Sequence, residues 1–112
     1  MIVTQDLTAL AMGSGDMEVF ATPAMVALME NAAMLEAAKS LEGGQTTVGI
    51  YIEAHHTRAT PLGAEVTATA TLTAQEGRKL TYEIVAQDPK GEIGKAIHHR
   101  FIVDRDKFLS KL

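Results

Sequence analysis

Glu30 stands in an otherwise apolar run, Pro23-Ala-Met-Val-Ala-Leu-Met-Glu-Asn-Ala-Ala-Met-Leu-Glu-Ala-Ala. That run predicts a core helix, with Val26 four residues before Glu30 and Ala33 three after it on the same face. An ionised carboxylate on such a face is costly unless it is paired, protonated or put to use. His56 is the second candidate. In a strand it shares a face with Val48, Ile50, Ile52 and Ala54, the face expected to meet the helix, while Gly49, Tyr51, Glu53, His55 and Thr57 point away. An imidazole facing a carboxylate satisfies both groups and makes a general base with an orienting partner near neutral pH. Thr22 precedes Pro23 and reads as the helix N-cap, at a terminus whose free N–H groups also favour a developing oxyanion. Gly49 interrupts a β-branched strand, which marks a bulge or a close backbone approach, and its N–H could donate with no side chain in the way. Each residue also has a plainer reading: Glu30 bonded in the core or at an interface, His56 an ordinary strand histidine, Thr22 a cap, Gly49 a bulge.

The elements that must position these groups follow from periodicity. Residues 2–9 form a short β-type run, and Met12 to Asp16 a flexible loop. The helix extends from Pro23 to about Leu41, where Gly43-Gly44 stops it. Strands follow over 48–57 and 64–74, then from Leu80 to Ala86 and from about Glu92 to Val103. They are separated by Thr60-Pro61-Leu62-Gly63, Glu76-Gly77-Arg78-Lys79 and Asp88-Pro89-Lys90-Gly91. The order β-α-β-β-β-β gives an α+β fold, one long helix and a five-stranded antiparallel sheet in a single domain over 1–112. His98 and Arg100 share a strand face, with a surface or interface role expected; Tyr51 and Tyr82 read as strand aromatics.

Composition narrows the function classes. Of the 112 residues 46% are apolar and only 4% aromatic, with no Trp, so Ala, Val, Ile, Leu and Met must build the core. The helix is apolar on more than one side, and a thin core of this kind is completed by a partner; a homodimer is expected. Net charge is −4 with no basic run. That balance argues against nucleic acid and anionic membrane as partners. There is no cysteine, hence no thiol nucleophile, disulfide or Cys-based metal site. Glu30, Asn31, Glu36 and Lys39 break the apolar helix, so no transmembrane span is expected. With no signal-peptide pattern at the start, the expected setting is cytoplasmic.

The order of these residues carries a resemblance. Val19-Phe-Ala-Thr22-Pro-Ala-Met-Val-Ala-Leu-Met-Glu30, then Thr47-Val-Gly49, then His56-Thr-Arg-Ala-Thr60-Pro61 is similar to the fluoroacetyl-CoA thioesterase family of hot-dog-fold proteins. Glu76-Gly-Arg-Lys-Leu and His98-His-Arg100-Phe-Ile-Val extend the likeness to nearly the whole chain. The resemblance implies a hot-dog fold, a dimer, and acyl-CoA thioester hydrolysis with coenzyme A as part of the substrate and no metal or organic cofactor. By position it implies Thr22, Glu30 and His56 as the catalytic set and Gly49 as the glycine whose N–H faces the thioester carbonyl. Glu30 would serve as base or nucleophile, His56 would activate water or assist thiolate departure, and Thr22 would help orient the carboxylate. The loop Ser14-Gly-Asp-Met-Glu18 has no aromatic residue to lid a small apolar pocket, so a fluorinated acyl group is not expected. Two other readings compete: a non-catalytic hot-dog dimer binding an acyl-CoA or small aromatic ligand, and a metal-binding barrel using His55, His56, His98 and His99. Adjacent strand histidines face opposite ways, which disfavours the last.

Overall fold

The computed structural model describes residues 1–112. Ala21, in extended conformation, is the N-cap of the helix α2 (Thr22–Ala38), and Pro23 lies in the first turn. Its missing N–H costs nothing there. Thr22 is therefore the first helical residue, and its hydroxyl makes no cap bond. Lys39 caps the C-terminus, so the helix stops before Gly43-Gly44 and is shorter than expected. Its buried stripe is Ala24, Met25, Met29, Ala33 and Ala37. A ridge at four-residue spacing with so many alanines lets the sheet approach closely. Glu30 sits beside that ridge rather than on it, with its side chain 41% exposed. The expected burial is thus corrected: Met29 takes the central position, and the carboxylate keeps water and avoids the desolvation cost.

Four antiparallel strands form one sheet in the order β1-β4-β3-β2: β1 (Gln45–His56), β2 (Thr67–Glu76), β3 (Lys79–Asp88) and β4 (Gly91–Asp104). Period-two patterning assigns the faces. Leu80, Tyr82, Ile84 and Ala86 of β3 and Ala96, His98 and Arg100 of β4 are buried beneath α2, while β2 turns its threonines outward. Gly77, at φ 61°, makes the β2–β3 turn. Side chains disfavour that left-handed conformation. The core joins the buried β3 and β4 residues to Met25, Met29, Phe20, Val3 and Val66. A short helix, α3 (Arg105–Leu109), follows β4 and has no counterpart in the sequence pattern.

The fifth strand does not form. Ile2 makes one isolated bridge to Glu65, outside β2, and Val3 exchanges backbone bonds with Ala64 and Gly63 at 2.9 and 2.8 Å. The chain then turns through a 3-10 segment, Gln5–Leu7, into α1 (Ala9–Met12). The cause is local side-chain bonding. Thr8 donates to the Gln5 carbonyl at 2.8 Å and accepts from the Ala11 N–H at 3.2 Å. A residue that alternation assigns to a strand is thus a helix N-cap. Gly13, at φ 74°, ends α1, and the loop begins there. No helix is long and apolar enough to cross a membrane.

The chain leaving β1 is fixed by a half-buried ion pair. Arg58 meets Asp88 through two bonds of 2.6 and 3.2 Å and also donates to the Gly91 carbonyl at 3.0 Å. Thr60 adds a bond of 2.9 Å and the Lys90 N–H one of 2.8 Å. The Arg58 hydrogen bonds, aided by the others, lower the Asp88 carboxyl from its ordinary 3.8 to about 2. A carboxylate held below its unfolded value contributes stability that is present above about pH 4 and lost as pH falls through the folded value. Urea midpoints followed from pH 5 to pH 2 are therefore expected to fall steeply in the native protein. Asp88→Asn is expected to be less stable at neutral pH and to show a flatter acid limb; an unchanged limb would contradict this assignment.

Candidate active site

Gly49 breaks the regularity of β1. Gly49 pairs with Arg100 and Tyr51 with His99, so Ile50 is the extra residue of a bulge. Its side chain is ejected, leaving the residue 53% exposed. The bulge reverses the phase of the strand. Ile52, Ala54 and His56 face α2 as expected, whereas before the bulge Thr47 and Gly49 face it, and Val48 pairs with the outward Phe101. A β-carbon on Gly49 would lie 2.7 Å from Glu30 Oε2, 3.2 Å from His98 Cε1 and 3.3 Å from Arg100 Nη1. Glycine thus leaves the helix carboxylate the place a side chain would take. Both sequence readings of this residue, bulge and close approach, hold.

Around Glu30 the polar groups are tightly assigned. Arg100 donates from Nε to Thr47 Oγ1 at 2.8 Å, from Nη2 to the Thr47 carbonyl at 3.0 Å and from Nη1 to His98 Nε2 at 3.1 Å. His98 bonds through Nδ1 to the Tyr51 carbonyl at 2.8 Å. A carbonyl only accepts and a guanidinium only donates, so His98 is neutral, with its proton on Nδ1. Burial pushes its imidazole below the usual histidine value. Glu30 Oε2 lies 3.8 Å from Arg100 Nη1 and 4.0 Å from His98 Nε2. The first contact is a loose ion pair beside solvent; the second, to a neutral ring, is not an ion pair. A guanidinium anchored at three points beside a half-exposed carboxylate is suited to stabilising charge that develops on a carbonyl oxygen.

The second half of the site lies at the start of α2. Thr22 Oγ1 is 2.8 Å from His56 Nδ1, a hydrogen bond that uses the hydroxyl expected to cap. Phe20 meets the imidazole edge-on, with ring centres 6.3 Å apart. Burial pushes the His56 imidazole below its ordinary value. Near neutral pH it is therefore an uncharged base. Its Nε2 is buried and has no hydrogen-bond partner in the chain, beside a cleft lined by Ser14, Val19, Phe20 and Arg58. The expected pair of Glu30 with His56 is not formed within the chain. Thr22 and Glu30 are eight helical residues apart, about 12 Å along the axis.

The remaining histidines are placed separately: His55 is outward beside Glu53 at 3.5 Å, and His99 stacks on Tyr51 with centres 4.9 Å apart. No three His, Asp or Glu side chains converge as a metal-binding group. His98, Arg100 and Thr47 join the candidate site unforeseen by the sequence; His98 and Arg100, expected at the surface or an interface, are buried. Their signal was present, since His98 and Arg100 are polar at two successive inward positions of a strand.

Comparison with known proteins agrees with this fold. Residues 3–106 match the family of the fluoroacetyl-CoA-specific thioesterase FlK. The fluoroacetyl-CoA thioesterase of Streptantibioticus cattleyicolor is 44% identical over 95 residues, covering 85% of this chain and 68% of that protein. A solved structure of FlK aligns with a TM-score of 0.91 and 38% identity over 99% of this chain and 87% of that one. A hot-dog-like protein from Thermanaerovibrio acidaminovorans aligns at 0.89 and 25% identity, over 99% of this chain and 82% of that one. On a four-stranded version of the hot-dog sheet, with α2 across it, this chain belongs to the fluoroacetyl-CoA-specific thioesterase family.

Proposed function

We propose that the protein hydrolyses the thioester of a short- or medium-chain acyl-CoA, using Thr22, Glu30 and His56 with no metal or organic cofactor. It does so as a homodimer whose sites take Glu30 from one subunit and the Thr22–His56 pair from the other. The observation that carries this reading is the buried, partnerless Nε2 of His56, held apart from Glu30 on the same chain. A base aligned by Thr22, whose Nε2 has no hydrogen-bond partner in its own subunit, is placed to serve a reacting group that enters the adjoining cleft. The exposed Met34 and Leu35 on α2 supply apolar surface for a second subunit to cover.

In this reading the acyl carbonyl lies beside the Glu30 carboxylate and the backbone at Gly49, with its oxygen towards the Arg100 guanidinium. Water gives a proton to His56 Nε2 as it attacks. The tetrahedral oxyanion then collapses, the C–S bond breaks, and the departing thiolate takes that proton to leave a carboxylic acid and free coenzyme A. Alternatively Glu30 is the base that takes that proton and returns it to the thiolate, or it attacks first: the C–S bond breaks, solvent protonates the thiolate, and water then hydrolyses the acyl–Glu30 anhydride as His56 Nε2 takes its proton. Borohydride trapping of that anhydride separates the two routes. Specificity for a fluorinated acyl group is not part of the proposal, because residues 14–18 offer no aromatic lid.

Thiol release from a panel of acyl-CoAs is expected to drop by about 100-fold or more in Glu30→Ala and in His56→Ala, with the fold retained. Unchanged rates in both would overturn the assignment. Gly49→Ala is expected to displace the Glu30 carboxylate, the end of a flexible side chain, with His98 and Arg100 giving way by a few tenths of an ångström. The variant should melt near the native temperature while losing about tenfold or more in kcat. A variant with native kcat would show that Gly49 serves the fold alone.

A further inference from the structure

We propose that His98 is a positioning residue of the site, which holds the Arg100 guanidinium against Glu30 and Gly49 and does so only while unprotonated. His98 is 1% exposed, on β4 between Ile52 of β1 and Tyr82 of β3. Its Nδ1–H is committed to the Tyr51 carbonyl at 2.8 Å, so Nε2 is left as a lone pair, and that lone pair accepts from Arg100 Nη1 at 3.1 Å. Tyr51 is the residue at which register resumes after the bulge. The bulge that makes room for Glu30 therefore also supports the ring that aims the neighbouring cation. The two Thr47 contacts hold Nε and Nη2, and His98 alone holds Nη1, the nitrogen nearest Glu30.

Protonation would undo this arrangement. An imidazolium has no lone pair to accept with. It would also stand 3.1 Å from a second cation. The groups facing the ring decide where the proton sends each partner. From α2 comes Glu30, 4.0 Å away and free to swing; from β4 comes Arg100, still tied to Thr47. From β3 comes the phenol of Tyr82, buried and kept neutral by that burial, and from β1 only the Tyr51 carbonyl. His99 points to the opposite face, where it bonds Thr81. A charged His98 would thus draw the Glu30 carboxylate to itself and release Nη1 from the reacting position.

The kinetic arm of the test rests on the thioesterase reading; the spectroscopic arm does not. Nitrogen-15 NMR of the native protein is expected to show His98 as the Nδ1–H tautomer at neutral pH. Its titration midpoint should move lower in Glu30→Gln, because a nearby anion that favours the charged ring is removed. An Nε2–H tautomer, or a midpoint indifferent to Glu30, would overturn the proposal even if no thioester were ever cleaved. In kinetics, log kcat/KM is expected to fall more steeply on the acid side than protonation of His56 and Glu30 alone would make it, as His98 must be neutral too. His98→Gln keeps an acceptor that does not titrate, and is expected to rescue most of the rate with the acid slope lowered by about one. His98→Asn keeps only the group facing Tyr51, and is expected to lose about tenfold or more in kcat. Equal rates in the two variants, with the native acid slope in both, would reduce His98 to packing.

Discussion

The absence of a side chain at residue 49 is the constraint on which the site depends. A β-carbon there would collide with the Glu30 carboxylate. Glycine lets α2 set an acidic residue directly over a strand. The same glycine accompanies the bulge that turns Thr47 towards the helix and ejects Ile50 to solvent. From that one change of phase follow the Thr47 anchor for Arg100, the inward course of Ile52 and Ala54, and the delivery of His56 to the helix N-terminus. Packing and chemistry share one backbone irregularity, as is common where strands carry sites.

The distribution of satisfied and unsatisfied polar groups separates scaffold from reactivity. Buried charges elsewhere are fully matched: Asp88 has Arg58, Thr60 and a backbone N–H, and Arg100 has three acceptors. Buried polar groups in native proteins are almost always bonded, so the exception is informative. Here it is His56 Nε2, on a ring whose other nitrogen is held by Thr22. Glu30 differs from the matched charges too, being loosely paired and open to water. These two groups, whose polar bonding the chain itself leaves incomplete, are the ones the proposed reaction uses.

Much of this is legible in the sequence. The apolar run with Pro23 at its start specifies α2, and alternation locates four strands and their turns. Gly49 reads as a bulge before its neighbours are known. The failures have local causes. Thr8 and its neighbours bond the backbone and curl a segment that alternates like a strand. Thr22 has the composition of a cap but lies one residue inside the helix, where its hydroxyl is free for His56. The bulge reverses Val48 and Ile50, because period-two counting cannot carry across an inserted residue. Spacing puts Glu30 within the apolar stripe because, in a helix this apolar on all sides, polarity does not mark the buried ridge. Which alanines face the sheet is decided by how closely the strands can approach.

Subunit complementation tests the central claim most directly. Glu30→Ala and His56→Ala chains, each nearly inactive alone, are mixed in equal amounts, unfolded and refolded together. If each site combines Glu30 of one subunit with His56 of the other, half of the dimers are mixed and each carries one intact site, so about a quarter of native thioesterase activity is expected to return. If the mixture stays at the level of its parents, the two residues do not act together across an interface, and the shared site is contradicted.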